Sequence, residues 1–96
     1  MQKKFKRAGQ YYVYMLECND GTYYTGYTNN LEKRIKEHNS GLGAKYLRGK
    51  EPVKLVYAKE YRYYKRAVRR ECEIKTLTRA EKQNLVCIYE KSKNNS

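Results

Sequence analysis

Residues 23–38 read YYTGYTNNLEKRIKEH, and the pattern changes half-way along. Tyr23-Tyr24-Thr25-Gly26-Tyr27 is aromatic and β-branched, the composition of a short strand. Thr28, Asn29 and Asn30 then offer short polar side chains suited to a helix N-cap, and Asn29 followed by Glu32 resembles a capping box. Leu31 and Ile35 recur at helical spacing. At about 100° per residue, Arg34 and His38 fall beside that apolar seam, whereas Glu32, Lys33, Lys36 and Glu37 point away from it. The helix is predicted to stop at Asn39-Ser40-Gly41. A guanidinium and an imidazole therefore stand beside a tyrosine-lined sheet.

Upstream, Tyr11 to Glu17 (YYVYMLE) is a continuous apolar and aromatic run. It reads as a strand covered on both faces and hence central. Asp20-Gly21 marks a turn, so residues 11–27 form a β-hairpin. Its register has two solutions. A two-residue Asp20-Gly21 turn puts Tyr14 on the face of Tyr23 and Tyr27. An odd-length loop over Asn19 to Gly21 puts Tyr14 and Tyr24 on one face.

Downstream, Gly41 to Pro52 is a loop rich in Gly and Lys/Arg, and Val53 to Ala58 is a third strand. Residues from about Tyr63 to Leu77 form a second helix by pattern. Thr78-Arg79-Ala80-Glu81 is a capping box that starts a third helix, running to about Tyr89. Residues 1–10 read as a basic flexible arm, 11–90 as a single domain and 91–96 as a disordered tail. The order ββαβαα predicts an α+β fold, a small three-stranded, mainly antiparallel sheet flanked by three helices.

Ninety-six residues make one domain with one modest core. Twelve of its thirteen aromatics are Tyr, so the packing groups also carry hydroxyls. The net charge is +12, which favours a polyanionic partner, nucleic acid before an acidic membrane surface. Three cysteines in no metal-like spacing and no secretory signal predict reduced thiols in the cytoplasm, and argue against zinc. No segment has the length and apolarity of a membrane span.

Glu71 is the most informative acid. On the second helix it shares an arc with Tyr64, Ala67, Val68 and Ile74. A carboxylate there needs compensation, from a divalent cation or from an ion pair with Arg34 or Lys75. Arg34 can pair with Glu71 or grip a phosphate with its planar fork. His38 shares Arg34's face, as a structural or a catalytic group. Tyr14 and Tyr24 are ordinary strand tyrosines unless a neighbouring cation lowers their pKa from near 10. Lys45, Tyr46, Arg48 and Lys50 are placed to hold phosphates and stack on an unpaired base. The Arg62 to Arg70 stripe is either a backbone-tracking surface or a solvated face.

Taken together, these residues resemble the GIY-YIG nuclease domain in its small stand-alone bacterial form, from about Tyr11 to Val86. Tyr12-Val13-Tyr14 stands for the first motif, with Tyr for Gly and Val for Ile. Tyr24-Thr25-Gly26 stands for the second, with Thr in the middle. Arg34 follows ten residues after Tyr24, His38 lies one turn further, and AVRRE ends at Glu71. The resemblance implies hydrolysis of DNA phosphodiesters with one divalent cation, Mg²⁺ or Mn²⁺. It implies that Glu71 binds the cation and that Arg34 holds the scissile phosphate. Tyr14 or Tyr24 would act as, or position, the general base, and His38 would assist. Without recognition domains, such a chain is expected to prefer single-stranded or branched DNA over a particular sequence, in repair or DNA processing. The alternatives are a non-catalytic nucleic-acid-binding module and, more weakly, an RNA-binding protein.

Overall fold

A computed structural model of the chain describes residues 8–94. Strand β1 (Ala8–Glu17) leads into β2 (Tyr23–Thr28) and helix α1 (Leu31–Asn39). A short 3₁₀ turn (Lys45–Leu47) precedes β3 (Lys54–Tyr63), α2 (Tyr64–Lys75) and α3 (Arg79–Asn94). The sheet order is β2-β1-β3, antiparallel throughout. The α+β architecture expected from the order of elements is the one observed.

The middle position of β1 follows from its composition. Tyr11, Val13, Tyr14, Met15 and Leu16 are all buried, so consecutive side chains on both faces need cover. On one face Tyr11, Val13 and Met15 pack with Val56, Ala67 and Ile74, bringing in α2 and, through Leu85 and Val86, α3. On the other, Tyr14, Leu16 and Cys18 pack with Leu47, Val53, Leu31 and Ile35, bringing in α1 and the 3₁₀ turn.

The hairpin takes the odd-length loop. Tyr14 pairs with Gly26 and Leu16 with Tyr24, so Tyr14 and Tyr24 share a face. The loop closes with Cys18 N–H on the Thr22 carbonyl and Gly21 N–H on the Cys18 carbonyl, at 2.8 and 2.9 Å. Gly21 carries the positive φ of 86° that this closure needs.

Several boundaries differ from expectation. β1 begins at Ala8, so residues 8–10 belong to the sheet and not to a flexible arm; the rest of that arm lies outside the described residues. β3 runs on to Tyr63 instead of ending at Ala58, because the early part of β1 needs a ladder partner: Tyr11 pairs with Tyr61 and Ala8 with Tyr63. Its polar residues suit an edge strand, whose outer side faces water. The cap of α1 is Asn30, accepting from Lys33 N–H at 3.2 Å, and not an Asn29–Glu32 box. Thr28 Oγ1 in turn accepts from Asn30 N–H.

The capping box of α3 is formed. Glu81 Oε1 accepts from Thr78 N–H at 2.9 Å, and Thr78 Oγ1 accepts from Glu81 N–H at 3.2 Å. The helix continues past Tyr89 to Asn94, so residues 91–94 are helical and not part of a disordered tail. Lys91 and Lys93 in its last turn suit the negative end of the helix dipole.

Candidate active site

Tyr14 is fixed from behind. It is 1% exposed, and its Oη lies 2.9 Å from Nε2 of the equally buried His38. Ala44 N–H donates to the other ring nitrogen, Nδ1, at 3.2 Å. Nδ1 is therefore an acceptor, and in the neutral ring the proton sits on Nε2 and is donated to Tyr14. Burial, then Arg34 nearby, holds the His38 pKa below its usual 6.5, which keeps the ring neutral. The approach depends on Gly43, where any Cβ would collide with His38 Nδ1.

Tyr14 is pushed up to about 12, first by burial and then by Tyr24. Arg34 pulls the other way. The Tyr24 ring lies 6.3 Å from that of Tyr14 and 5.5 Å, edge-on, from His38. Gly26 lets the phenol of Tyr14 lie flush against β2, since a Cβ there would sit 2.7 Å from Tyr14 Oη.

Tyr14, Tyr24, Arg34 and Glu71 line one open cavity of about 430 Å³. They come from β1, β2, α1 and α2: Tyr14 and Tyr24 lie on the sheet face covered by α1, and Glu71 comes from the helix that covers the other face. His38 is not part of the cavity lining and bears on it through Tyr14, by a hydrogen bond, and Tyr24, by ring contact. Tyr27, Lys33 and Glu37 join the lining. Lys33 and Glu37 were expected to point away from α1's buried face; the cavity extends over that outer side. The signal for Glu37 was present, three residues after Arg34 and hence on its face.

The charges are paired in a specific way. Arg34 Nη1 lies 2.9 Å from Glu37 Oε1, both side chains 35% exposed. Glu71 Oε2 lies 3.0 Å from Lys75 Nζ. Of the two ion-pair partners considered for Glu71, it is Lys75 that takes the role. Glu71 is only 13% exposed, but Lys75 is 53% exposed, so the pair opens to solvent.

The basic loop stands beside this cavity, outside its lining. Tyr46 stacks on Tyr24 at 6.1 Å and is half exposed. Lys50 Nζ sits 3.8 Å from the Tyr46 ring centre and 3.3 Å from Asp20 Oδ2, so it is already engaged. Lys45 and Arg48 are exposed and, among the described residues, form no ion pair.

Comparison with known proteins gives the chain a family. The model of the GIY-YIG catalytic domain matches residues 10–84. The chain belongs to the GIY-YIG family, an endonuclease superfamily. Its relatives there are UPF0213 proteins, small GIY-YIG proteins of bacteria and archaea. It is 52% identical over 79 residues to one from Natronomonas pharaonis, covering 82% of this chain and 93% of that protein. It is 57% identical over 75 residues to one from Clostridium perfringens, covering 78% and 81%. The solution structure of a UPF0213 protein from Bacillus halodurans is similar, with a TM-score of 0.56 and 48% identity over 82% of this chain and 84% of that one. A solution structure of an E. faecalis protein gives 0.59 at 35% identity, covering 90% and 92%.

Proposed function

We propose that this chain is a cytoplasmic DNA endonuclease that uses Mg²⁺ or Mn²⁺ and selects DNA by structure, single-stranded or branched, in repair or processing. One observation carries the reading. Two phenols, a guanidinium and a carboxylate from four separate elements meet on one open cavity of a strongly basic protein.

Glu71 would hold the cation. Among the described residues no group of three or more His, Cys, Asp or Glu could do so. A single carboxylate in an open cavity still fits Mg²⁺, which keeps several waters and takes substrate phosphate oxygens as ligands. When bound, the cation would polarise a phosphoryl oxygen and stabilise the leaving alkoxide.

Arg34 would leave Glu37 for the scissile phosphate and hold positive charge where the transition state gathers negative charge. Tyr14, whose oxygen accepts from His38, would take or position the proton of the attacking water once Arg34 and the bound cation draw its pKa down from about 12. Tyr24 packs between Tyr14 and Tyr46 and keeps both in place. Lys45, Tyr46, Arg48 and Lys50 would flank the strand on its way into the cavity.

A second reading is a binding module without turnover. It is favoured by one feature: Arg34 and Glu71 both already have ionic partners. Labelled single-stranded and branched DNA, incubated with Mg²⁺ or Mn²⁺ and either the wild type or Glu71→Ala, separates the two. Cutting that disappears in the variant while binding persists supports the enzyme. Inert behaviour of both proteins leaves the binding module.

A further inference from the structure

Helix α2 has two chemically opposed sides. Glu71 lies on the inner side with the buried Ala67 and Ile74. At about 100° per residue, Arg69 is turned about 160° from Glu71, with Lys65 and Arg66 flanking it. These three are exposed and, with Arg70 and Tyr61, line a groove of about 480 Å³. Among the described residues, none lines both this groove and the active-site cavity.

The groove is not neutralised from within. Among the described residues its one acid, Glu73, is paired with Arg70 at 3.2 Å. Lys65, Arg66 and Arg69 form no ion pair among the described residues. Lys65 and Arg69, and Arg66 and Arg70, are neighbours four apart on one helix, where like charges repel. An anion in the groove relieves that repulsion, and the planar forks of the arginines match phosphate oxygens.

We propose that this groove is a second phosphate-backbone site, which holds one arm of a branched DNA while the cavity holds the strand to be cut. The inference rests on the nuclease reading for the identity of the anion. A helix is about 10–12 Å thick with its side chains, so a straight strand in the cavity leaves the far side of α2 empty. A branched molecule reaches both sides.

The test is binding by fluorescence anisotropy over a range of salt, in EDTA so that nothing is cut. The probes are a short single strand and a three-way DNA junction. The proteins are the wild type, Lys65→Ala/Arg66→Ala/Arg69→Ala, and the charge-keeping Arg66→Lys/Arg69→Lys. For the junction, the slope of log K against log salt should fall by about 2.7 in the alanine variant, at about 0.9 for each of three lost contacts. The lysine variant should keep the wild-type slope, and all three proteins should bind the single strand alike.

The proposal is overturned if the alanine variant keeps the wild-type slope on the junction. Equal losses on both probes also overturn it, as does a wild type that binds neither. Loss of binding to anionic lipid vesicles with junction binding intact would assign the groove to membranes instead. Cleavage of the single strand in Mg²⁺ is read separately. A junction-specific loss without cleavage keeps the groove and removes the nuclease reading. Cleavage with an unchanged junction slope does the reverse.

Discussion

Gly26→Ala puts one methyl group against the group proposed to take the proton. That methyl would stand 2.7 Å from Tyr14 Oη, 2.9 Å from Tyr14 Cζ and 3.2 Å from Tyr24 Cε2. Reaching an ordinary contact of 3.4 Å from Oη requires a retreat of about 0.7 Å. Tyr14 is buried and its Oη is held 2.9 Å from His38 Nε2, so a retreat disturbs that contact. Overpacking of this kind costs about 1–3 kcal/mol. A disturbed buried hydrogen bond to His38 adds about 1 kcal/mol. Alanine's better strand propensity returns about 0.5–1 kcal/mol.

The net expectation is a loss of about 1–3.5 kcal/mol in urea denaturation. Cleavage should fall about 100-fold, as for a reacting group displaced by nearly 1 Å. A double-mutant cycle with Tyr14→Phe sharpens the test. Removing Oη deletes the shortest of the three contacts, so the two substitutions together should cost less than their sum by at least about 1 kcal/mol. Additive costs, or a Gly26→Ala protein with wild-type stability and turnover, would refute the idea that this glycine exists to seat the phenol.

Glu37→Gln frees Arg34 from its anion, and DNA binding should tighten by up to about fivefold, the scale of an exposed pair; weaker binding would mean that Glu37 holds Arg34 in its working position. His38 has a folded pKa below 6.5, so the contribution of the neutral ring is complete above that pH and is lost as pH falls; an NMR titration of the ring should place its midpoint below 6.5, and one above it would contradict the assigned hydrogen bonds. Tyr14 works in the opposite sense: with a folded value of about 12 against 10.0, its contribution is complete below pH 10 and fades by pH 12. That amounts to about 3 kcal/mol, measurable as a loss of stability absent in Tyr14→Phe. Thr78→Ala should cost about 1 kcal/mol through the lost cap of α3, with DNA binding unchanged.

Short-range pattern was enough for much of this protein. An apolar run buried on both faces made β1 central, and Thr78 with Glu81 announced the start of α3, because neither needs information from beyond a few residues. The inward placement of Glu71 and Arg34 followed from helical period in the same way. Other features depend on segments far apart in the chain. The parity of the hairpin loop decided that Tyr14 and Tyr24 share a face, and two parities were equally compatible with the composition. The length of β3 was decided by the unpaired backbone of β1, more than forty residues earlier, and its charged residues disguised it. The ion pairs themselves are local, Arg34 with Glu37 and Glu71 with Lys75 along single helices, but that all four elements carrying Tyr14, Tyr24, Arg34 and Glu71 open on one cavity was decided by packing of the layers. Periodicity tells which way a side chain faces and which neighbours it has on its own helix; only the folded chain brings residues of separate elements together.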